Sequence, residues 1–432
     1  MPLYGEEQKK SNREFTKRTL LLSLAFAWIS IFNSVFDSLM PLIATAPVSE
    51  GGLGLSDLNK GVIMALDNVL ALFLLPLFGS LSDKSRNKMG KRTPFILFFS
   101  AAAVIVWTFA GVSLGLSFNV LFIVLLAVTL SLNAMARPAS LALLPDLTPL
   151  NKRRKANAVT QIVSIAATVA GVALCELKAV GFQYIFYIDS ALMAVLIVIF
   201  AVKVKENKLR AAFDALPDDE KKADSETETF DFHTNAKNLK RNKIIILTAV
   251  FFFYVSFNGL VSSLSVYATD VLNLSKGGFT VPQLLCLVAA CAAAVPVAKL
   301  SKKIQRRHLL IIGLDLMILA FSLAASQNEM TVLMLFSFVL AGIGYSVALV
   351  NLFPYILELS DPKQIGKTTG VFNTVMTIAM VLTPIASGAL QDVFGRFILF
   401  PYCLAAVIIA AVLLFFIKES SGEKPAVSDA KA

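Results

Sequence analysis

The sequence predicts an all-α membrane protein: twelve transmembrane helices in two pseudo-symmetric six-helix halves, with both termini in the cytoplasm. Three observations carry this expectation. Of 432 residues, 56% are apolar or aromatic and only 16% charged, with mean hydropathy +0.73, whereas soluble domains hold about 25% charged residues. The apolar residues fall in continuous runs near the ~20 residues that a helix needs to cross a bilayer, unlike the alternating segments of a β-barrel. The 39 Lys and Arg residues, which against 29 Asp and Glu leave a net charge of +10, lie mostly between alternate pairs of runs. In a membrane protein such a charge marks cytoplasmic loops rather than a nucleic-acid partner.

In order, the runs lie at about 19–44, 60–82, 94–116, 119–145, 157–176, 182–203, 244–268, 278–300, 308–326, 330–353, 366–390 and 397–417. Residues 1–18 are polar and basic (Lys9, Lys10, Arg13, Lys17, Arg18). The run after them is too long for a signal-peptide core and has no small-residue exit, so span 1 follows a cytoplasmic N-terminus. With odd spans running outward, only Lys60, Lys178, Lys276 and Arg396 fall on the outer side, and Arg137 alone lies inside a span. That bias fixes the even span count and the orientation. The short loops suit a bacterial-type plasma membrane. The polar stretch 204–243, with Pro217, Asp218, Asp219 and Glu220, reads as a solvated linker between the bundles 19–203 and 244–417, and 418–432 as a cytoplasmic tail. Cys175, Cys286, Cys291 and Cys403 lie in apolar runs as small buried hydrophobes. His233 and His308 lie in polar loops, which excludes an intramembrane histidine relay and, with no metal-ligand spacing, leaves no metal site.

The halves resemble each other. Phe32-Asn33-Ser34-Val35-Phe36-Asp37-Ser38-Leu39 aligns with Phe257-Asn258-Gly259-Leu260-Val261-Ser262-Ser263-Leu264, and Leu53-Gly54-Leu55-Ser56 with Leu272-Asn273-Leu274-Ser275. Leu144-Pro145 matches Phe353-Pro354, and Lys155 and Gln161 match Lys367 and Asn373. Parallel halves of this kind are a transporter architecture with its substrate site at the midplane between them.

The loop between spans 2 and 3 reads Gly79-Ser80-Leu81-Ser82-Asp83-Lys84-Ser85-Arg86-Asn87-Lys88-Met89-Gly90-Lys91-Arg92-Thr93-Pro94-Phe95, and span 4 ends Leu141-Ala142-Leu143-Leu144-Pro145-Asp146-Leu147-Thr148-Pro149. Here the chain resembles the major facilitator superfamily, whose signature in this loop is G-x-x-x-D-R/K-x-G-R-R. The longer form is similar to that of glycoside–pentoside–hexuronide:cation symporters of the melibiose-permease type and of sucrose–proton symporters. The resemblance implies the major facilitator fold, and a cytoplasmic gate of Gly79, Asp83, Arg86, Gly90, Lys91, Arg92 and Asp146 that does not touch substrate. A plain basic turn is the structural alternative. Gly79, Gly111, Gly342 and Gly344 are expected to let helices approach closely.

Charges inside spans cost about 2.5–3.5 kcal/mol each on insertion scales and need a use. Asp37 in span 1 and Asp67 in span 2 both lie roughly 10 Å from the outer end, where two facing carboxylates would share a proton. Arg137 in span 4 lies deeper and reaches toward Asp67. The expected unit is a coupling cluster of Asp37, Asp67 and Arg137; a static Asp67–Arg137 ion pair bracing the bundle is the alternative. Asp189 and Asp315, each alone on its span, are expected to snorkel or cap. By the resemblance, Ala71, Leu75 and Arg137 stand where melibiose-type permeases bind their cation, so a sodium site of that type is absent. Leu130 and Leu141 stand where sucrose symporters carry an aspartate and, about eleven residues later, their span 4 arginine, so that proton site is absent too. Coupling, with H+ as the ion and no other cofactor, falls to Asp37 and Asp67.

A sugar site needs amides and an aromatic face. Asn33, Gln161, Asn258 and Asn373, at equivalent places in the halves, are the candidate hydroxyl partners, and Trp28, Tyr254 and Tyr345 the aromatic surface. The amides joining helices is the alternative. No P-loop, nucleophile elbow or H-E-x-x-H occurs, so neither ATP-driven transport nor hydrolase chemistry is expected. The expectation is a monomeric secondary transporter, not an enzyme, that moves a small glycoside or oligosaccharide with protons across the lipid bilayer. The rival substrate is an amphipath such as a lysolipid or drug, which the 33 Phe residues would suit.

Overall fold

The computed structural model describes residues 2–215, 236–274, 278–301, 303–358 and 365–417. Residues 216–235 of the expected linker, with His233, and Lys276 and the tail 418–432 lie outside the described residues. Thirteen helices form among the described residues: α1 Pro2–Thr45, α2 Asp57–Lys84, α3 Thr93–Gly115, α4 Asn119–Asp146, α5 Leu150–Leu174, α6 Phe182–Lys203, α7 Glu206–Asp214, α8 Ala236–Asp270, α9 Val281–Leu300, α10 Arg306–Ala325, α11 Val332–Glu358, α12 Ile365–Phe394 and α13 Leu399–Phe415. All but the short α7 are long and apolar enough to span a membrane, which gives the twelve expected spans. Helices dominate because hydrocarbon offers the backbone no hydrogen-bond partner, so each span must satisfy its own N–H and C=O groups.

Two boundaries differ from the sequence reading. The polar N-terminus continues span 1 as one 44-residue helix, because Glu6, Glu7, Gln8, Lys9 and Lys10 favour helix. The linker is not wholly solvated. Its first part forms α7, and the Glu206 carboxylate, fully buried, accepts hydrogen bonds from the backbone N–H groups of Lys91, Arg92 and Thr93 at 2.8, 2.9 and 2.8 Å. Those N–H groups open α3 and have no partner within the helix, so a carboxylate is drawn to them.

The halves repeat one packing scheme. α1 packs on α5 and α6, and α3 on α4 and α6, with α2 on α4; α8 packs on α12 and α13, and α10 on α11 and α13, with α9 on α11. The repeat extends to the backbone. Gly54 and Asn273, matched in sequence, both adopt left-handed φ, +63° and +59°, which Gly and Asn tolerate best. The expected close approaches occur at three glycines. A methyl at Gly111 would lie 2.6 Å from Phe186 Cβ, one at Gly342 2.2 Å from the Cys286 carbonyl oxygen, and one at Gly344 2.6 Å from that of Gly313. At Gly79 the nearest atom, Pro138 Cβ, would lie at 3.6 Å, ordinary contact. Gly79 is therefore not required for packing here.

The face of the molecule that carries loop 85–92 and α7 is termed the basic face, and its opposite the far face. The halves meet through α1 on α8, α2 on α12 and α5 on α9. Among the described residues, every hydrogen bond and ion pair between the halves lies toward the far face. A methyl at Gly61 would lie 2.1 Å from the Pro384 carbonyl oxygen, and one at Gly388 2.2 Å from that of Asp57, so α2 and α12 cross with their backbones touching. At the basic end of α12, nothing stands within 4 Å of such a methyl at Gly366 or Gly370. Among the described residues, the polar contacts between the halves thus gather at the far face, while α12 stands clear of neighbours at Gly366 and Gly370 near the basic face. Gly388→Leu is expected to part α2 from α12. The readout is maleimide labelling of Ser263→Cys, buried at 1% exposure, in a background lacking the four native cysteines. A shift of about 1.4 kcal/mol would raise the labelling rate about tenfold, and an unchanged rate would refute the role of this contact.

Candidate functional site

The three intramembrane charges of the first half lie within electrostatic reach of one another. Asp37 on α1, Asp67 on α2 and Arg137 on α4 are each partly buried, and each carboxylate interacts electrostatically with the guanidinium. No ion pair within 4.0 Å joins any two of them, so the static Asp67–Arg137 brace is not formed. Helix geometry explains the spacing. Asn33 and Asp37 stand one turn apart on α1, Asn133 and Arg137 one turn apart on the antiparallel α4. Asn133 Nδ2 donates to Asn33 Oδ1 at 2.9 Å and pins the helices at that level. Asp37 then lies a turn toward the far face and Arg137 a turn toward the basic face, roughly 12 Å apart along the axis.

Asn133 lies among the candidate site residues and was not singled out by the sequence reading. Its position one turn before an intramembrane arginine was the available signal. It is buried at 1% exposure, and its own Oδ1 has no hydrogen-bond partner. At the positions of the second half that match Asp37, Asp67 and Arg137 stand Ser262, Cys286 and Ser346. All the site charge is in one half.

The second half supplies an aromatic wall instead. Tyr345 of α11 stacks on Phe257 at 4.1 Å and on Phe253 at 5.8 Å, with Tyr254 edge-on to Phe253 at 5.3 Å. Tyr345 is partly buried and Tyr254 buried at 8% exposure. Other candidates depart from expectation. Trp28 is 1% exposed, inside the core of the first half; it shares a helical stripe with Phe32 and Phe36, and full burial of that stripe outweighs an indole N–H left without an acceptor. Asn258 is buried at 6% exposure, and its Nδ2 donates to the Met380 carbonyl at 2.8 Å, so it joins α8 to α12. Gln161 on α5 and Asn373 on α12 are exposed, in equivalent positions. Asp189 neither snorkels nor caps: it is fully buried and accepts a hydrogen bond from Trp107 Nε1 at 2.8 Å. Asp315 is exposed on α10.

The far face is clasped by residues the sequence reading did not single out as site residues. Asp392, at the end of α12, accepts from the backbone N–H groups of Asp57 and Leu58 at 2.8 and 2.9 Å and so caps α2 across the halves. Reciprocally, Glu176, after α5, accepts from the N–H groups of Gly278 and Thr280 at 2.6 and 2.8 Å and from the Thr280 hydroxyl at 2.6 Å, at the start of α9. Lys60, 1% exposed, donates to Asp57 at 2.6 Å and to Gln391 at 3.0 Å, and Arg396 bridges Asp57 at 3.0 Å and Asp270. Ser38 donates to Gln283 at 2.7 Å.

On the basic face the gate residues form one network. Arg92 pairs with Asp83 at 2.5 Å and with Asp146 at 2.8 Å and donates to the Ser82 hydroxyl, while Lys91 lies 3.5 Å from Asp83. Arg210 of α7 lies 3.9 Å from Asp146 and 3.5 Å from Glu206. Gly90, at φ +125°, leaves the space that the Glu206 carboxylate fills. Arg86 is exposed and joins none of these pairs. Glu206→Ala removes a charged acceptor from three N–H groups and is expected to lower stability by about 1.5–3 kcal/mol. Arg86→Ala is expected to stay within about 0.5 kcal/mol. Thermal unfolding of the detergent-purified protein separates the two.

Solved structures share this architecture at low sequence identity. A peptide transporter POT in complex with sulfate superposes with TM-score 0.70 at 15% identity, over 92% of this chain and 94% of that one. The nucleoside transporter NupG gives 0.69 at 12% identity, over 93% and 99%. A bacterial homologue of the human lysosomal transporter Spinster, inward-facing and occupied, gives 0.65 at 14% identity, over 94% and 96%. In sequence, the uncharacterized MFS-type transporter YhjO of Bacillus subtilis (strain 168) is 23% identical over 382 residues, 82% of each chain. The family model of the Major Facilitator Superfamily matches residues 20–314 and 283–432. The chain thus belongs to the Major Facilitator Superfamily, and it is a multi-pass secondary transporter.

Proposed function

We propose that the protein couples movement of a small amphipathic solute to protons by alternating access, with Asp37 and Asp67 as the proton carriers. The basic face is then cytoplasmic, as the distribution of Lys and Arg supports, and the arrangement with the halves joined at the far face is read as the inward-facing state. The observation that carries the reading is the unpaired set of Asp37, Asp67 and Arg137, which takes on or releases charge without breaking a bridge. Fold alone does not select a substrate, since neighbours named for nucleosides and for peptides share it.

The glycoside reading is the second one, and Asn33 with Asn133 supports it. The amphipath is favoured because Asn258 is engaged by the Met380 carbonyl and Trp28 is buried, while Phe257 and Tyr345 present an apolar wall. The carrier is read as a monomer in a bacterial-type plasma membrane. Coupling is tested in proteoliposomes with an imposed pH gradient. Asp67→Asn and Asp37→Asn are each expected to abolish accumulation above equilibrium while exchange of solute across the membrane persists. Undiminished accumulation by both variants would overturn proton carriage at these residues.

A further inference from the structure

Resting on that reading, we propose that the solute is a zwitterion, whose ammonium group binds between Asp37 and Asp67 and whose carboxylate or phosphate binds Arg137. The three charges are partly buried and none bridges another within 4.0 Å. In a low-dielectric interior opposite charges are stable either paired with each other or held for another partner. Here the Asn33–Asn133 bond holds Asp37 and Arg137 apart along the axis, one turn to either side of the amide pair. A ligand with both signs satisfies both ends at once. A purely cationic solute would place a second positive charge beside Arg137, and a neutral sugar would add no charged partner to any of the three.

A second observation points the same way. Asn133 Oδ1 is buried and unpartnered, an acceptor suited to an ammonium N–H at the level between the two ends. The opposing half offers no competing charge, because Ser262, Cys286 and Ser346 occupy the matching positions. It offers instead the Phe257–Tyr345 stack, against which an apolar body or an ammonium group rests favourably. The charge balance also closes. Two carboxylates and one guanidinium carry net −1, a zwitterion adds nothing, and one proton brings the loaded site to zero. The loaded carrier then crosses its occluded state without burying net charge.

Two sources share this chemistry: amino-acid-like solutes and lysophospholipids with an amine headgroup. The test uses the full chain, purified and in proteoliposomes. The probes are amino acids, dipeptides and lysophosphatidylethanolamine, each soluble amine compared with its carboxyl ester and its N-acetyl form, and a set of neutral glycosides. The expected result is binding, read as thermal stabilisation, and exchange by one zwitterion group, weakened at least tenfold when either charge is masked. Arg137→Gln is expected to erase the preference for the free acid over its ester, and Arg137→Lys to restore part of it. Response to amino acids or to lysolipids identifies the source. Equal binding of masked and unmasked forms, or exchange of glycosides alone, overturns the zwitterion while leaving proton-coupled transport standing. Absence of exchange with every probe overturns both.

Discussion

The contact on which the rest depends is the crossing of α2 and α12, where Gly61 lies against the Pro384 carbonyl and Gly388 against that of Asp57. Two backbones touching at two points bring the ends of these helices close enough for Asp392 to reach the first N–H groups of α2. They also bring Gln391 within reach of Lys60. A side chain at either glycine would push the helices apart by more than these hydrogen bonds span. The far-face clasp is therefore a consequence of small residues as much as of charged ones.

The clasp has the symmetry of the duplication. An acid at the end of one half's helix caps the opening turn of a helix in the other half, once through Asp392 and once through Glu176. Each cap satisfies orphan N–H groups that water would satisfy equally if the face opened. Closure is thus stabilised without becoming irreversible, which suits a carrier that must open on both sides. The basic face shows the complementary arrangement. There the charged network of Asp83, Arg92, Asp146, Arg210 and Glu206 stays within the first half and its linker, so it holds a bundle together without joining the two bundles.

The duplication is broken where the chemistry sits. Asn33 and Asn258 match in sequence, yet one bonds Asn133 beside the charge cluster and the other joins α8 to a carbonyl of α12. The charges lie in the first half and the aromatic stack in the second. On the proposed reading, a solute between the halves would meet the charges on one side and the aromatic stack on the other. Relative movement of two rigid halves then changes both contacts together.

Length, apolar runs and the placement of Lys and Arg were enough to predict twelve spans in two halves, because burying backbone in hydrocarbon leaves few alternatives. Asp37, Asp67 and Arg137 stood out because an intramembrane charge is costly wherever it points. Amides and aromatics carry no such cost, so Trp28 and Asn258 could not be separated from Asn33 and Tyr345 by type and spacing. Which side of its helix meets a neighbour decided each of them. The same holds for Asn133, Asp392, Glu176 and Glu206, whose partners lie far along the chain. The sequence by itself determined the twelve spans and their arrangement in two similar halves, and it singled out the intramembrane charges. Only the tertiary structure decided which polar groups are free, because that depends on helix rotation and on contacts between residues more than a hundred positions apart.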